Sequence, residues 1–270
     1  VQLRRWLTAL VLGPLLVAVV ALGPRWAFIS LVSAAVIVCL YEYYRMVSPG
    51  AQPRTTAWIL LGAALPLAFA LGGAPEALAF MVLGAVVLFN VFVLKGDVRP
   101  SILDLLAKEF LGLAYVGLLL SYFVLLRDLD AGRFWVLFVI GVAFAEDTGA
   151  YYVGRTVGRR KLCPALSPGK TVEGTVGGLA AALAAALVGR SLFTAQMPLA
   201  TCLTLGLLIG VAGQSGDLFE SLIKRTSGVK DTGGLLPGHG GLLDRVDSLI
   251  FSAPLVYYYN LFLMGYPGVR

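Results

Sequence analysis

Unbroken apolar runs decide what this chain can fold into. Val11–Leu22 and Leu179–Val188 contain no charged residue. Apolar stretches near 6–22, 26–44, 56–72, 77–94, 110–126, 134–153, 172–189, 198–221 and 243–264 each approach the roughly 20 residues of helix that cross a bilayer's hydrocarbon core. Membrane barrels instead alternate apolar and polar residues over ~10-residue strands. The expected fold is therefore an all-α polytopic integral membrane protein of about nine transmembrane helices. Charged residues make up 13% of the 270, about half the ~25% of soluble domains. So little charge could not cover a water-soluble surface, which excludes a soluble enzyme and a disordered chain. Cys39, Cys163 and Cys202 lie far apart, which suggests neither a disulfide framework nor a zinc site.

Charge in the loops predicts orientation. With the N-terminus in the cytoplasm, the inside segments hold 15 Lys and Arg and the outside segments five, with Arg245 at the start of the last helix counted in neither. Cytoplasmic loops carry the excess of positive charge, so the expectation is N-terminus in, C-terminus out. The net charge of +6 reads as this orientation signal, and no nucleic-acid partner is expected. The first span follows Arg4 and Arg5 without an A-x-A-like cleavage site, and reads as an uncleaved helix.

Charge is also uneven along the chain. Residues 144–173 carry eight charges and 214–247 carry nine, so 17 of the 36 fall in 64 residues. Residues 1–132 are bland by comparison and read as membrane helices for packing, lipid access and oligomer contacts; residues 133–270 read as the catalytic part. Ionisable groups inside spans are costly and mark functional sites. The sixth span carries Glu146 and Asp147, with Asp147 about 9 Å from its cytoplasmic end. The eighth carries Gln214, Asp217 and Ser221, with Asp217 about 6 Å from its end. The ninth begins with Asp244, Arg245 and Asp247. Any one of these aspartates could serve only to pair with a neighbouring cation such as Arg245. Carboxylates at one depth on three helices, without a His or Cys cluster, point instead to a hard cation, Mg²⁺ first.

The adjoining loops are basic. Residues 155–170 hold five Lys and Arg and no acid. Ser167-Pro168-Gly169-Lys170-Thr171 resembles a phosphate-binding turn, but Pro164 stands where a P-loop needs glycine, and the segment is expected to open a helix without following a strand. Gly169 would let a backbone approach closely, Lys170 supplies a point charge, and the following helix N-terminus favours an anion. The last loop holds five glycines in residues 233–241 and the chain's one histidine, His239. Between glycines and near Asp244, His239 reads as a donor to phosphate or to a metal's ligands. Basic loops with metal-binding carboxylates imply a polyanionic substrate such as a nucleotide, and the position under the membrane surface implies a lipid co-substrate. Phosphoryl or nucleotidyl transfer suits that pair.

The run Ser221–Asp247 reads S-L-I-K-R-x4-K-D-x-G-G-L-L-P-G-H-G-G-L-L-D-R-V-D. It resembles the signature of the phosphatidate cytidylyltransferases, the CDP-diacylglycerol synthases of bacterial membranes, without departure across 27 residues. Glu146–Tyr151 and Ser167–Thr175 resemble the family's accompanying motifs. The resemblance implies that CTP and phosphatidic acid give CDP-diacylglycerol and pyrophosphate. It implies Mg²⁺, with a monovalent cation such as K⁺ beside it, a homodimer, and a bacterial inner-membrane location with the site on the cytoplasmic side. Carried onto matching positions, Asp217 and Asp244 are the foremost metal ligands, with Asp147 and Asp247 after them. Lys224, Arg225, Lys230 and Arg245 would hold phosphates, Asp231 and His239 would order the loop or contact substrate, and Ser167, Lys170, Thr171, Glu173 and Ser221 fall on the nucleotide side. Two alternatives remain at this point. One is a CTP-dependent transferase for an ether lipid or a polyprenol. The other is an ion-coupled transporter using Asp147, Asp217 and Asp247, against which the lack of an internal repeat counts.

Overall fold

The computed structural model describes residues 13–50, 54–96, 100–193, 197–234 and 240–264. Almost everything is helix: α1 (Gly13–Leu22), α2 (Arg25–Val47), α3 (Arg54–Gly72), α4 (Ala74–Lys95), α5 (Ile102–Gly112), a π-helical segment (Leu113–Leu118), α6 (Leu119–Asp128), α7 (Gly132–Val157), α8 (Val172–Phe193), α9 (Leu199–Thr226) and α10 (Leu243–Leu263). Seven helical stretches among the described residues are long and apolar enough to cross a membrane. The chain is an all-α polytopic membrane protein. α10 stands outside the seven, because Tyr257, Tyr258, Tyr259, Asn260 and its first-turn charges make it less apolar. Among the described residues the strands form a short antiparallel hairpin, β1 (Lys161–Cys163) and β2 (Ser167–Thr171). Here the expectation of a loop opening straight into a helix is corrected: Ser167–Thr171 is itself a strand that feeds α8. Lys161 pairs with Thr171 and Cys163 with Ser167, with an irregularity between them that accommodates Pro168-Gly169.

The chain forms two compact units. The first comprises 1–128 together with 231–244, and the second 129–230 together with 245–270. In the first, Leu40, Tyr43, Tyr44, Trp58, Leu65, Phe69 and Leu113 are fully or almost fully buried. α4 is the most apolar span and the least buried, with Val82, Leu83, Val87, Val93 and Leu94 all exposed. In water such a face would aggregate; in lipid it is the solvent-facing side. The stretch Ile102–Asp128 is the most buried span, and its π-helical segment lies against α2 and α3.

The second unit is built on a seam of small residues between α7 and α8. A Cβ on Gly149 would lie 2.5 Å from the Ala181 methyl, and one on Gly177 2.5 Å from Val153 Cβ. Apolar contact between helices gains little in lipid, so close backbone approach through small residues supplies the packing. α8 begins at a cap, with Thr171 Oγ1 accepting from the Gly174 N–H at 3.1 Å. α9 ends in a Schellman turn. Gly228 sits at φ 73°, its N–H donates to the Arg225 carbonyl at 3.1 Å, and the Val229 N–H donates to the Lys224 carbonyl at 3.0 Å.

Gly177→Val is expected to lower the melting temperature of the detergent-solubilised protein by several degrees, as overpacking costs roughly 1–3 kcal/mol. Gly141→Ala, where a Cβ would meet nothing within 4 Å, is expected to leave it unchanged or slightly raised.

Candidate active site

The second unit gathers its carboxylates where α7, α9 and α10 carry them. Asp217 and Glu220 lie one turn apart on α9, and Asp247 is in the first turns of α10. Each offers an oxygen such that the three lie within 4.8 Å of one another. Glu220 is fully buried, Asp247 is buried and Asp217 half-buried. At an effective dielectric of about 20, two ionised carboxylates at this range repel by about 3.5 kcal/mol or more. Two lysines offset part of that. Lys170 Nζ on β2 pairs with Asp217 Oδ2 at 2.6 Å, and Lys224 Nζ pairs with Glu220 Oε2 at 2.8 Å. Ser221 Oγ donates to Asp217 Oδ1 at 3.4 Å, and the Ser248 N–H donates to Asp247 Oδ1 at 2.8 Å.

Two more acids adjoin this trio on α7. Asp147 lies within electrostatic reach of Asp217 and Lys170. Glu146 is buried and accepts from Gln214 Nε2 at 2.7 Å; the same amide nitrogen also donates to the Thr175 carbonyl at 3.1 Å. Gln214 thereby ties α7, α8 and α9 together. Five carboxyl groups thus stand around two ammonium groups, and the all-oxygen donor set suits a hard cation.

The helix ends correct the depths expected from hydropathy. α7 continues to Val157 and α9 to Thr226, so Asp147 and Asp217 lie about 15 Å and about 14 Å from their helix ends. Their common depth survives. The lengthening has a physical cause: the last turns of both helices are polar and extend past the apolar stretch.

The remaining expected residues are spread around the hairpin and the last loop. Glu173 accepts from the backbone N–H groups of Arg159 and Arg160 at 3.0 and 3.1 Å, pinning the turn before β1 to the start of α8. Thr171 is taken up as the α8 cap, and Ser167 pairs in the hairpin. Arg225 donates from Nε to the Leu166 carbonyl and from Nη1 to the Val229 carbonyl, at 3.2 and 3.3 Å, so it ties the hairpin turn to the end of α9. Lys230, Asp231 and Arg245 are exposed. His239 lies outside the described residues.

Asp244 belongs with the first unit and does something different from Asp247. Its Oδ2 accepts from the Thr232 N–H at 3.1 Å, Thr232 Oγ1 at 2.9 Å and the Gly241 N–H at 3.0 Å. One oxygen thus gathers both ends of the glycine loop, in the manner of the acidic half of a capping box.

A model of the cytidylyltransferase family matches residues 3–263. The chain belongs to the cytidylyltransferase family. It is 37% identical to the Escherichia coli protein YnbB over 247 residues, 88% of this chain and 80% of that one. It is 35% identical over 269 residues to a phosphatidate cytidylyltransferase of Synechocystis, covering 88% of this chain and 90% of the relative. A Bacillus subtilis phosphatidate cytidylyltransferase is 40% identical over 145 residues, which is 53% of this chain and about half of the relative, 54%. Membership in this family fits a site of acids and lysines in membrane helices.

Two residues of these clusters escape a reading of the sequence. Glu220 was signalled only by its i,i+3 spacing from Asp217 and its i,i+4 spacing to Lys224. Glu42, which touches the glycine loop from α2, was signalled only by being an acid inside a span. For the hairpin, Glu173→Ala is expected to speed tryptic cleavage after Arg159 and Arg160 severalfold in limited proteolysis, because those two N–H groups lose their acceptor. An unchanged cleavage rate would show that the carboxylate does not hold the turn.

Proposed function

We propose that the chain transfers the cytidylyl group of CTP to phosphatidic acid, giving CDP-diacylglycerol and pyrophosphate. The observation that carries this is the Asp217–Glu220–Asp247 trio flanked by Lys170 and Lys224, in a chain of the cytidylyltransferase family with relatives named for phosphatidate. A phosphate oxygen of phosphatidic acid attacks the α-phosphorus of CTP. The new O–P bond forms as the bond to the β-phosphate oxygen breaks, and pyrophosphate leaves in line. The attacking oxygen is already ionised, so no general base is needed.

Asp217, Glu220 and Asp247 would hold Mg²⁺, with Asp147 and Asp244 as further candidates and K⁺ as a second ion. When bound, Mg²⁺ neutralises developing charge on the phosphate oxygens. Lys170 and Lys224 now spend their charge on Asp217 and Glu220. A cation shared by those carboxylates would leave the two ammonium groups able to meet phosphate oxygens, and Arg225, Lys230 and Arg245 add positive charge nearby in sequence.

The same reading places nine spans in a bacterial inner membrane, N-terminus in and C-terminus out, with the site on the cytoplasmic side. The 15-to-five bias in Lys and Arg supports the orientation, and α10 with 21 residues reaches about 31 Å. A homodimer rests on the family resemblance.

Purified protein with α-labelled CTP, Mg²⁺ and phosphatidic acid should yield lipid-linked cytidine. Asp217→Asn should cut the rate by about 100-fold or more and weaken Mn²⁺ binding, the scale seen when metal sites are disturbed. Product only with an ether lipid or a polyprenol phosphate would move the activity to another lipid. No product with any of them would remove the proposal.

A further inference from the structure

The first unit contains a buried acid that none of the chemistry above uses. Glu42 on α2 is 3% exposed. Its Oε2 accepts from the Leu243 N–H at 2.9 Å, across 201 residues of sequence. Leu243 opens α10, where the first backbone N–H groups have no partner inside the helix and a negative charge is favoured. The same carboxylate fills the space beside two glycines of the last loop. A Cβ on Gly233 would lie 2.7 Å from Glu42 Oε1, and one on Gly241 2.7 Å from Glu42 Oε2. Among the described residues Oε1 has no hydrogen-bond donor.

The seat of Glu42 is itself fixed. The next two residues, Tyr43 and Tyr44, are buried and donate from their hydroxyls to the carbonyls of Lys108 and Glu109, at 3.0 and 2.8 Å. Those carbonyls lie just before the π-helical segment, and the second lone pair of a carbonyl oxygen can take a side-chain donor beside its helical one. Gly112 admits both rings, since a Cβ there would lie 2.5 Å from Tyr43 Cε1 and 2.8 Å from Tyr44 Cε1. α2 therefore presents Glu42 from a rigid base. The loop it meets is also held by Asp244, which gathers Thr232 and Gly241.

We propose that Glu42 is a positioning residue for the reaction. Its carboxylate fixes the entry into α10 and the backbone at Gly233 and Gly241, and so sets where those two glycines and Asp244 stand during turnover. The proposal rests on the reading of the chain as a phosphatidate cytidylyltransferase.

The test compares Glu42→Ala, Glu42→Gln, Gly233→Ala and the double variant Glu42→Ala/Gly233→Ala, in nanodiscs with CTP, phosphatidic acid and Mg²⁺. Glu42→Ala should lower kcat by about tenfold or more, with KM for CTP changed by less than about threefold. Glu42→Gln keeps the shape and one acceptor oxygen, and should recover most of that loss. Gly233→Ala forces a methyl against Glu42 and should also slow turnover; the double variant should be no slower than the worse single one, since the clashing partner is gone. Amide exchange over 240–244, read by mass spectrometry, should be about tenfold faster in Glu42→Ala than in the parent.

A Glu42→Ala protein with parental kcat would overturn the proposal, as would losses from Glu42→Ala and Gly233→Ala that multiply. A parent that makes no CDP-diacylglycerol would remove the assigned reaction instead, and exchange alone would then decide. Unchanged exchange at 240–244 would show that Glu42 does not hold the loop.

Discussion

Carboxylates held close together inside membrane helices govern the rest of this structure. Asp217, Glu220 and Asp247 bring three oxygens within 4.8 Å, and the burial of Glu220 and Asp247 leaves little water to screen their repulsion. Everything around them reduces that cost. Lys170 and Lys224 each pair with one acid, Gln214 donates to Glu146, and the hairpin places Lys170 where a free loop would let its charge escape to water. The hairpin is anchored in turn by Glu173 on the Arg159 and Arg160 amides and by Arg225 on Leu166. Lys170 and Lys224 thus offset acid charge within the cluster, while Arg159, Arg160 and Arg225 serve the hairpin through hydrogen bonds made by or to backbone groups.

Lipid as solvent explains how the helices around the site pack. The outward face of α4 is mostly apolar, and Asn90 within it turns its amide onto the Val86 carbonyl at 2.8 Å, so hydropathy alone says little about which helix is central. The small-residue seam of α7 and α8 says more. Gly149, Gly177 and Gly178 bring the two backbones together, and Glu146 sits in the resulting space, touching Gly178 and near Gly213. Small side chains therefore serve twice. They supply close contact between helices that gain no hydrophobic energy from each other, and they make room for a buried acid at the level of the site.

Seven of the nine expected spans were legible in the sequence, because length and apolarity are all that crossing a membrane demands; the first expected span lies partly outside the described residues. The ends of the spans were not legible. α7 and α9 run on to Val157 and Thr226 because helical hydrogen bonding continues into polar turns that hydropathy scores as loop. The Schellman turn at Gly228 was written in the sequence, but only as one glycine among 32. The hairpin was hidden because Ser167–Thr171 contains proline and glycine, which argue against a strand; the irregular register lets them stand. Within the site, the aspartates were visible as charges out of place. Their division of labour was not: Asp244 and Asp247 share a helix and are three residues apart, yet one gathers a loop and the other joins the trio. Sequence spacing gives a shared helix and a shared face, not the set of partners that face will meet.

The glycines of the last loop show the same limit from the other side. Five glycines in nine residues suggest either freedom to move or a need for close approach, and composition cannot separate the two. At Gly233 and Gly241 the need is close approach, because a Cβ at either position would collide with Glu42, and at Gly241 also with Thr232. The residue that explains these glycines is about 190 and 200 positions away, in a stretch that carries little charge and no motif. An acid that caps a helix and fills the space beside two glycines needs no charged neighbours in sequence; it needs a rigid helix and a partner backbone. The bland half of such a chain can therefore hold the acid that explains the glycines of a distant loop.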